Sequence, residues 1–225
     1  MRIAKVCNKT RLNADNGFMQ KLQTGIDKIK GVLVSADVIT YEFSSAAGKK
    51  FALIYVDGLA DKELLGELVV KPLAAAQTDE GLEGIRAMLA SPEVKEGDDY
   101  SVAVKEISYG SAVLLADGEK TYFVIGLTKP PGRAVMEPPT QVAVKGPREG
   151  FVEDLKVNCA LVRKRLKSPA LRLDTVRTGK RSDTAVTVCY LSGVCDPVIP
   201  EKLKKQIACN QIDIVPDSSY VGRFI

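Results

Sequence analysis

The feature that most narrows what this chain can fold into is an internal echo. Tyr55-Val-Asp-Gly58-Leu59-Ala-Asp61 recurs as Tyr190-Leu-Ser-Gly193-Val194-Cys-Asp196, and upstream Asp37-Val-Ile-Thr is matched by Asp174-Thr-Val-Arg at nearly the same distance. In each copy a β-rich run ends at a glycine, which serves a turn, and an aspartate then opens an amphipathic helix as its cap. Two strand–turn–strand–helix units predict an α/β protein: two small α/β subdomains, mixed sheets flanked by helices, joined by a long linker helix. The expected boundaries are 1–145 for the first subdomain with an N-terminal helix, 146–168 for a turn and linker helix, and 169–225 for the second.

Hydrophobic spacing fills in the elements. Phe18, Leu22, Ile26 and Ile29 predict a helix over Asn16 to Lys30. Strands are expected over Asp37 to Phe43 and Phe51 to Val56. Asp61 should cap a helix to about Val70, stopped by Pro72, and another helix should cover Asp79 to Leu89. Ser101 to Ile107, Ala112 to Leu115 and Thr121 to Leu127 read as strands, with Ala116-Asp117-Gly118 as a turn, and Gln141 to Lys145 as a short strand. Phe151, Leu155, Cys159, Val162 and Leu166 form an apolar stripe with acids before it and bases after it, complementing a helix dipole. Strands around Leu171 to Val176 and Ala185 to Leu191, a helix over Pro200 to Ala208 and a strand at Ile212 to Val215 complete the second subdomain.

Chemistry is restricted by what is missing. The sequence has no histidine, which removes Ser-His-Asp and Cys-His nucleophiles and the commonest general base. Five cysteines, at 7, 159, 189, 195 and 209, make no C-x-x-C and no zinc spacing; they read as reduced, mostly buried thiols. No metal, cofactor or catalytic residue is expected, and the chain is not expected to be an enzyme. Thr178-Gly179-Lys180-Arg181-Ser182 resembles the tail of a phosphate loop, but Asp174 stands where the first glycine belongs and Arg181 where Ser or Thr belongs. A basic turn between strands is the better reading. No apolar run approaches the about 20 residues a spanning helix needs, and MRIAKVCNKTR lacks an apolar signal core; the chain as given reads as soluble.

Between Lys145 and Arg181, eleven Lys/Arg stand against four acids. Such a stretch suits either an anionic membrane leaflet or a solvated helix face. Nucleic acid is not expected, because no aromatics interleave the charges.

The most singular stretch is Lys145-Gly-Pro-Arg-Glu-Gly-Phe151. Gly146-Pro147 forces a turn and Gly150 permits a tight entry into the helix. Arg148 and Glu149, held there, could bind an anion or lock two lobes together. With Glu137-Pro-Pro upstream and Asn158, Leu161, Arg163 and Arg165 downstream, this segment resembles the GerA-type spore germinant receptor A subunit family. Tyr55-Val-Asp-Gly58-Leu59, Leu115-Ala-Asp117-Gly118, Gly179 with Thr184, Tyr190 with Gly193, and Ile212-Asp213 are similar to its other landmarks, in order. Gln141, Lys145 and Ser219 depart from the family pattern.

The resemblance implies the soluble N-terminal region of such a subunit at the spore inner membrane, on the core side, acting in nutrient-triggered germination. It implies a transporter-like B subunit, a lipoprotein C subunit, its own membrane region and an anionic membrane surface as partners, and allows a homo-oligomer. On this basis Gly146, Pro147, Arg148, Glu149, Gly150 and Phe151 are interlobe or hinge candidates. Arg163, Lys164, Arg165 and Lys167 are candidates for a membrane or subunit contact. The alternative is a module binding the germinant, a small molecule, in a cleft between the lobes.

Overall fold

A computed structural model describes residues 22–79, 81–129, 150–210 and 212–223. The chain divides into two compact units. One holds residues 22–33 and Ile39–Lys129; the other holds Val34–Val38 and the described residues from 150 onward.

The first unit is a five-stranded sheet between two helical layers. Strands β1 (Val38–Ser44), β2 (Lys50–Val56), β3 (Val94–Gly97), β4 (Ala112–Ala116) and β5 (Tyr122–Ile125) are ordered β1-β2-β4-β5-β3. Their β2/β4, β4/β5 and β3/β5 pairs are antiparallel, with Leu53 opposite Leu114 and Leu114 opposite Phe123. Because side chains alternate along a strand, Phe51, Leu53, Leu114, Phe123 and Ile125 share one face. That face packs on α2 (Lys62–Leu65), α3 (Lys71–Ala74) and α4 (Leu82–Met88) through Leu65, Val69, Leu73 and Ile85. Ile54, Val113 and Val124 point the other way and are equally buried. Helix α1 (residues 22–32) lies on this second side, its Gly25 against Tyr100 and Leu115, and it buries Leu22, Ile26 and Ile29 at the expected spacing. Residues 16–21 of the expected helix lie outside the described residues, as does the strand expected at Gln141 to Lys145.

Two expectations fail here. Pro72 does not end the helix: a π turn over Gly66–Val70 precedes it, and Pro72 sits in the first turn of α3. A proline there has no N–H to give the Leu68 carbonyl, and the Ala90 N–H takes that carbonyl instead at 3.2 Å. Ser101 to Ile107 is a helix, not a strand. Helix α5 (Tyr100–Ser108) is capped by Asp99, whose carboxylate accepts the Ser101 N–H at 2.8 Å. Its buried residues, Ala103, Val104, Ile107 and Ser108, follow helical spacing. The valine alternation was the misleading signal; tertiary burial overrides β propensity.

The second unit is smaller. Strands β6 (Leu171–Thr178) and β7 (Thr184–Leu191) pair antiparallel along their whole lengths. Helix α6 (Leu155–Arg165) packs on β7, and α7 (Val198–Ala208) packs on both strands. The helix expected to link the subdomains is therefore part of this unit. A short α8 (Ser218–Gly222) follows. Residues 212–215 form no strand; the Ile212 and Asp213 carbonyls accept N–H groups of the β6–β7 turn. The apolar core is thin: Ala160, Leu161, Leu171, Leu173, Ile207 and Val215.

The glycine and aspartate junctions of the internal echo share one local geometry. Gly58 and Gly193 have φ of +83° and +84°, the left-handed conformation glycine adopts without strain. Asp61 caps α2 by accepting the Glu63 and Leu64 N–H groups, and Asp196 accepts the Val198 N–H at the start of α7.

Candidate functional site

The chemistry-bearing side chains of the second unit gather around its hairpin. Arg163, on α6, is 1% exposed. Its guanidinium forks onto one carboxylate: Nε donates to Asp37 Oδ2 at 2.7 Å and Nη2 to Asp37 Oδ1 at 2.8 Å, while Nη1 reaches the Ser168 carbonyl at 3.4 Å. Planar, bidentate pairing of this kind is the strong form of an ion pair. Asp37 Oδ1 also accepts the Ser35 hydroxyl at 2.6 Å, and Ser35 Oγ accepts the Leu173 N–H at 2.9 Å. The Ala36 N–H closes the set on the Leu173 carbonyl. Val34–Val38 is thus bound to β6 and α6 by a continuous polar network, although both of its flanks in sequence belong to the other unit.

That network corrects the surface role expected of Arg163, whose charge is spent inward on Asp37. The apolar stripe drawn for α6 is corrected with it. Asp154 caps the helix, accepting the Lys156 and Val157 N–H groups, so Phe151 precedes it and is 70% exposed. Leu166 leaves helical geometry at the C-cap and is also exposed. The buried residues are Ala160, Leu161 and Arg163. Arg165 and Lys167 lie on the exposed end, with Lys164 half-buried. Gly146, Pro147, Arg148 and Glu149 lie outside the described residues; Gly150 is half-buried. Just after it, Asn158 clamps the approach to α6, accepting the Val152 N–H and donating to its carbonyl.

A second cluster lies on the other side of β6. Lys204 of α7 donates to Asp174 Oδ2 at 2.8 Å and pairs with Glu201 Oε1 at 2.6 Å; the Tyr190 hydroxyl donates to the same Asp174 oxygen at 3.0 Å. These groups and Arg172 line an open hollow of about 480 Å3 floored by Val34 and Ala36. Hydrogen bonds to Asp174, then to Glu201, hold the Lys204 ammonium above its ordinary value of 10.5. Burial, then the bond to Asp174, raises Tyr190. A lysine raised in the folded state stabilises fully below its unfolded value, and that stability is lost as pH climbs through the folded value. Lys204→Met should therefore cost about 1 kcal/mol at neutral pH after solvent screening. The cost should shrink above about pH 10.5, as read by urea unfolding across pH; a cost independent of pH would refute the pairing.

The turn at Gly179 binds no phosphate in this arrangement. Its Lys180, Arg181 and Ser182 N–H groups are already donated to the Ile212 and Asp213 carbonyls, and a phosphate cradle needs them free. The cysteines are only partly as expected. Cys159 and Cys195 are half-buried, Cys189 and Cys209 exposed, and Cys7 lies outside the described residues. Burial pushes the Cys159 thiol up, which disfavours the nucleophilic thiolate. Among the described residues no three His, Cys, Asp or Glu side chains gather as a metal would require, and no helix is long and apolar enough to cross a membrane.

Sequence reasoning missed Asp37 and Lys204 as site residues. The available signal was the echo itself: Asp37 and Asp174 are its matched aspartates, and each holds a buried or half-buried cation.

Comparison with known proteins gives a consistent result. A family model described as Bacillus/Clostridium GerA spore germination protein matches residues 25–225. The uncharacterized membrane protein YfkQ of Bacillus subtilis (strain 168) is 31% identical over 193 residues, 84% of this chain and 38% of that protein. Spore germination protein KA of the same organism is 28% identical over 202 residues, 87% of this chain and 37% of that protein. The chain thus spans well under half the length of these curated relatives. In fold it is similar to the crystal structure of the N-terminal domain of the A subunit of the Bacillus megaterium spore germinant receptor GerK3. The TM-score there is 0.66 at 19% identity, covering 90% of this chain and 76% of that one.

Proposed function

Because the chain belongs to the GerA family of spore germination proteins, we propose that it is the N-terminal region of a germinant receptor A subunit and serves there as a signal-coupling module. The observation that carries this is the buried Arg163–Asp37 fork. It fixes Val34–Val38, a five-residue piece of the second unit whose two ends run directly into α1 and β1 of the first. Any displacement of α6 is transmitted through that carboxylate to the backbone on both sides. The groups described support positioning and relay, and supply no nucleophile–base pair for bond chemistry.

In this reading the module works at the spore membrane, on the core side, with the transporter-like B subunit, the lipoprotein C subunit and the membrane region of its own subunit. Lys164, Arg165 and Lys167 remain the proposed α6 contact with a subunit or with anionic lipid. Gly146 to Phe151 remain the proposed hinge. Arg163→Lys in the complete receptor keeps the charge but loses the fork. Nutrient-triggered germination should slow severalfold at unchanged receptor abundance; a normal rate at normal abundance would remove the coupling role. Arg148→Ala should also impair germination while leaving the protein folded by circular dichroism, and unimpaired germination would count against the hinge.

A second reading has one observation in its favour. The hollow beside Tyr190 presents both signs of charge, Arg172 and Lys204 against Asp174 and Glu201, a complement to a zwitterion. Calorimetric titration with amino acids and sugars separates direct germinant binding from coupling: saturable heat abolished by Asp174→Asn supports binding, and none at millimolar ligand excludes it.

A further inference from the structure

The turn between β7 and α7 carries an anomaly that neither reading uses. Val194 is 81% exposed, Val198 67% and Ile199 52%, three branched aliphatics within six residues at one end of the second unit. A mostly apolar hollow of about 510 Å3 lies over Pro197, Val198, Glu201, Lys202 and Lys205. Lone exposed apolar residues are ordinary; three so close in sequence, beside an apolar hollow, point to a contact surface. The charges around it are uneven. Asp196 is engaged by the Val198 N–H and Glu201 by Lys204. Lys202 and Lys205 are exposed and have no carboxylate partner among the described residues. Over residues 150–223, thirteen Lys/Arg stand against eight Asp/Glu.

We propose that this end of the second unit docks on an anionic lipid bilayer, with Val194, Val198 and Ile199 entering the surface and Lys202 and Lys205 holding lipid phosphates. The spacing fits that partner. At 1.5 Å per residue, Lys202 and Lys205 stand about 6 and 10 Å further along α7 than Val198. The headgroup layer outside the hydrocarbon is about 5–8 Å deep. With Val198 at the hydrocarbon boundary, both ammonium groups lie within reach of the phosphates on flexible stems. A protein partner fits less well. Three aliphatic side chains and a proline cover far less than the about 800 Å2 per partner of a stable protein interface. The site is separate from the α6 bases and from the Arg163 fork, so it stands or falls independently of the coupling role.

The sequence contains no tryptophan, so Val194→Trp gives one reporter at an exposed position. The test uses the 225-residue chain with vesicles of phosphatidylglycerol and phosphatidylcholine, and with phosphatidylcholine alone. The tryptophan emission should shift blue on the mixed vesicles only, and the protein should sediment with them. Lys202→Gln with Lys205→Gln should weaken that partitioning about thirtyfold, and Val198→Asp at least tenfold, both with an unchanged circular dichroism spectrum. Neutralising Lys164, Arg165 and Lys167 should leave the blue shift intact. The proposal is overturned by an equal shift on neutral vesicles, or by a loss that follows the α6 bases and spares Lys202 and Lys205. A concentration-dependent shift without lipid, the signature of a second copy on the patch, would also overturn it.

Discussion

Arg163→Ala should lower the unfolding free energy by about 3–5 kcal/mol, because it strands the Asp37 carboxylate in a site from which solvent is largely excluded. The fork's worth lies in the cost of breaking it on one side. Removing both charges together, as Asp37→Leu with Arg163→Met, should recover more than half of that loss. Urea unfolding of the single and paired variants measures both quantities. A loss below about 1 kcal/mol for Arg163→Ala would mean that the pair is effectively solvated, and the relay would lose its rigid element. The second unit is the sensitive place for this substitution, since its apolar core is thin and, apart from the fork to α6, Val34–Val38 is held to β6 by two hydrogen bonds to Leu173.

Phe123→Ala should cost about 3–5 kcal/mol by a different route. Phe123 is fully buried at the centre of the first unit, opposite Leu114 and within the cluster that includes Leu53 and Ile125. Truncation removes the transfer free energy of the ring and leaves a cavity that strands paired on both sides cannot close. No charge is exposed, so the loss should be flat between pH 5 and 8. Leu should replace Phe at less than half the cost, because it refills most of the volume. A small effect of the alanine variant in urea unfolding would show that the helices over this face collapse inward.

Much of this architecture is written locally and can be read without coordinates. The two hairpin–Gly–Asp–helix units were legible because a left-handed glycine and a helix cap each demand particular residues at fixed offsets. Strands β2, β4 and β5, buried on both faces, announce themselves as short apolar runs. Three failures share a cause: a long-range partner decides the outcome. Ser101 to Ile107 alternates like a strand, yet burial of Ala103, Val104 and Ile107 against the sheet makes it a helix. Pro72 reads as a stop until Ala90 takes the carbonyl that the proline leaves. The stripe on α6 misled because the largest fully buried side chain on that helix is an arginine, and the carboxylate that draws it inward is 126 residues away in sequence. Charge rules place such a side chain outside unless the partner is known. Asp37 and Asp174 were visible as an echo, but the cation each one holds was not.

The brief excursion of the backbone through Val34–Val38 has a consequence for building hybrids between relatives. The second unit is not one uninterrupted stretch: it comprises a late portion from residue 150 onward and a five-residue strap supplied from far upstream. A chimera joined at a single crossover between the units would pair one parent's strap with the other parent's α6 and β6. Exchanging the region faithfully requires grafting both pieces, with Ser35 and Asp37 travelling alongside Arg163 and Leu173.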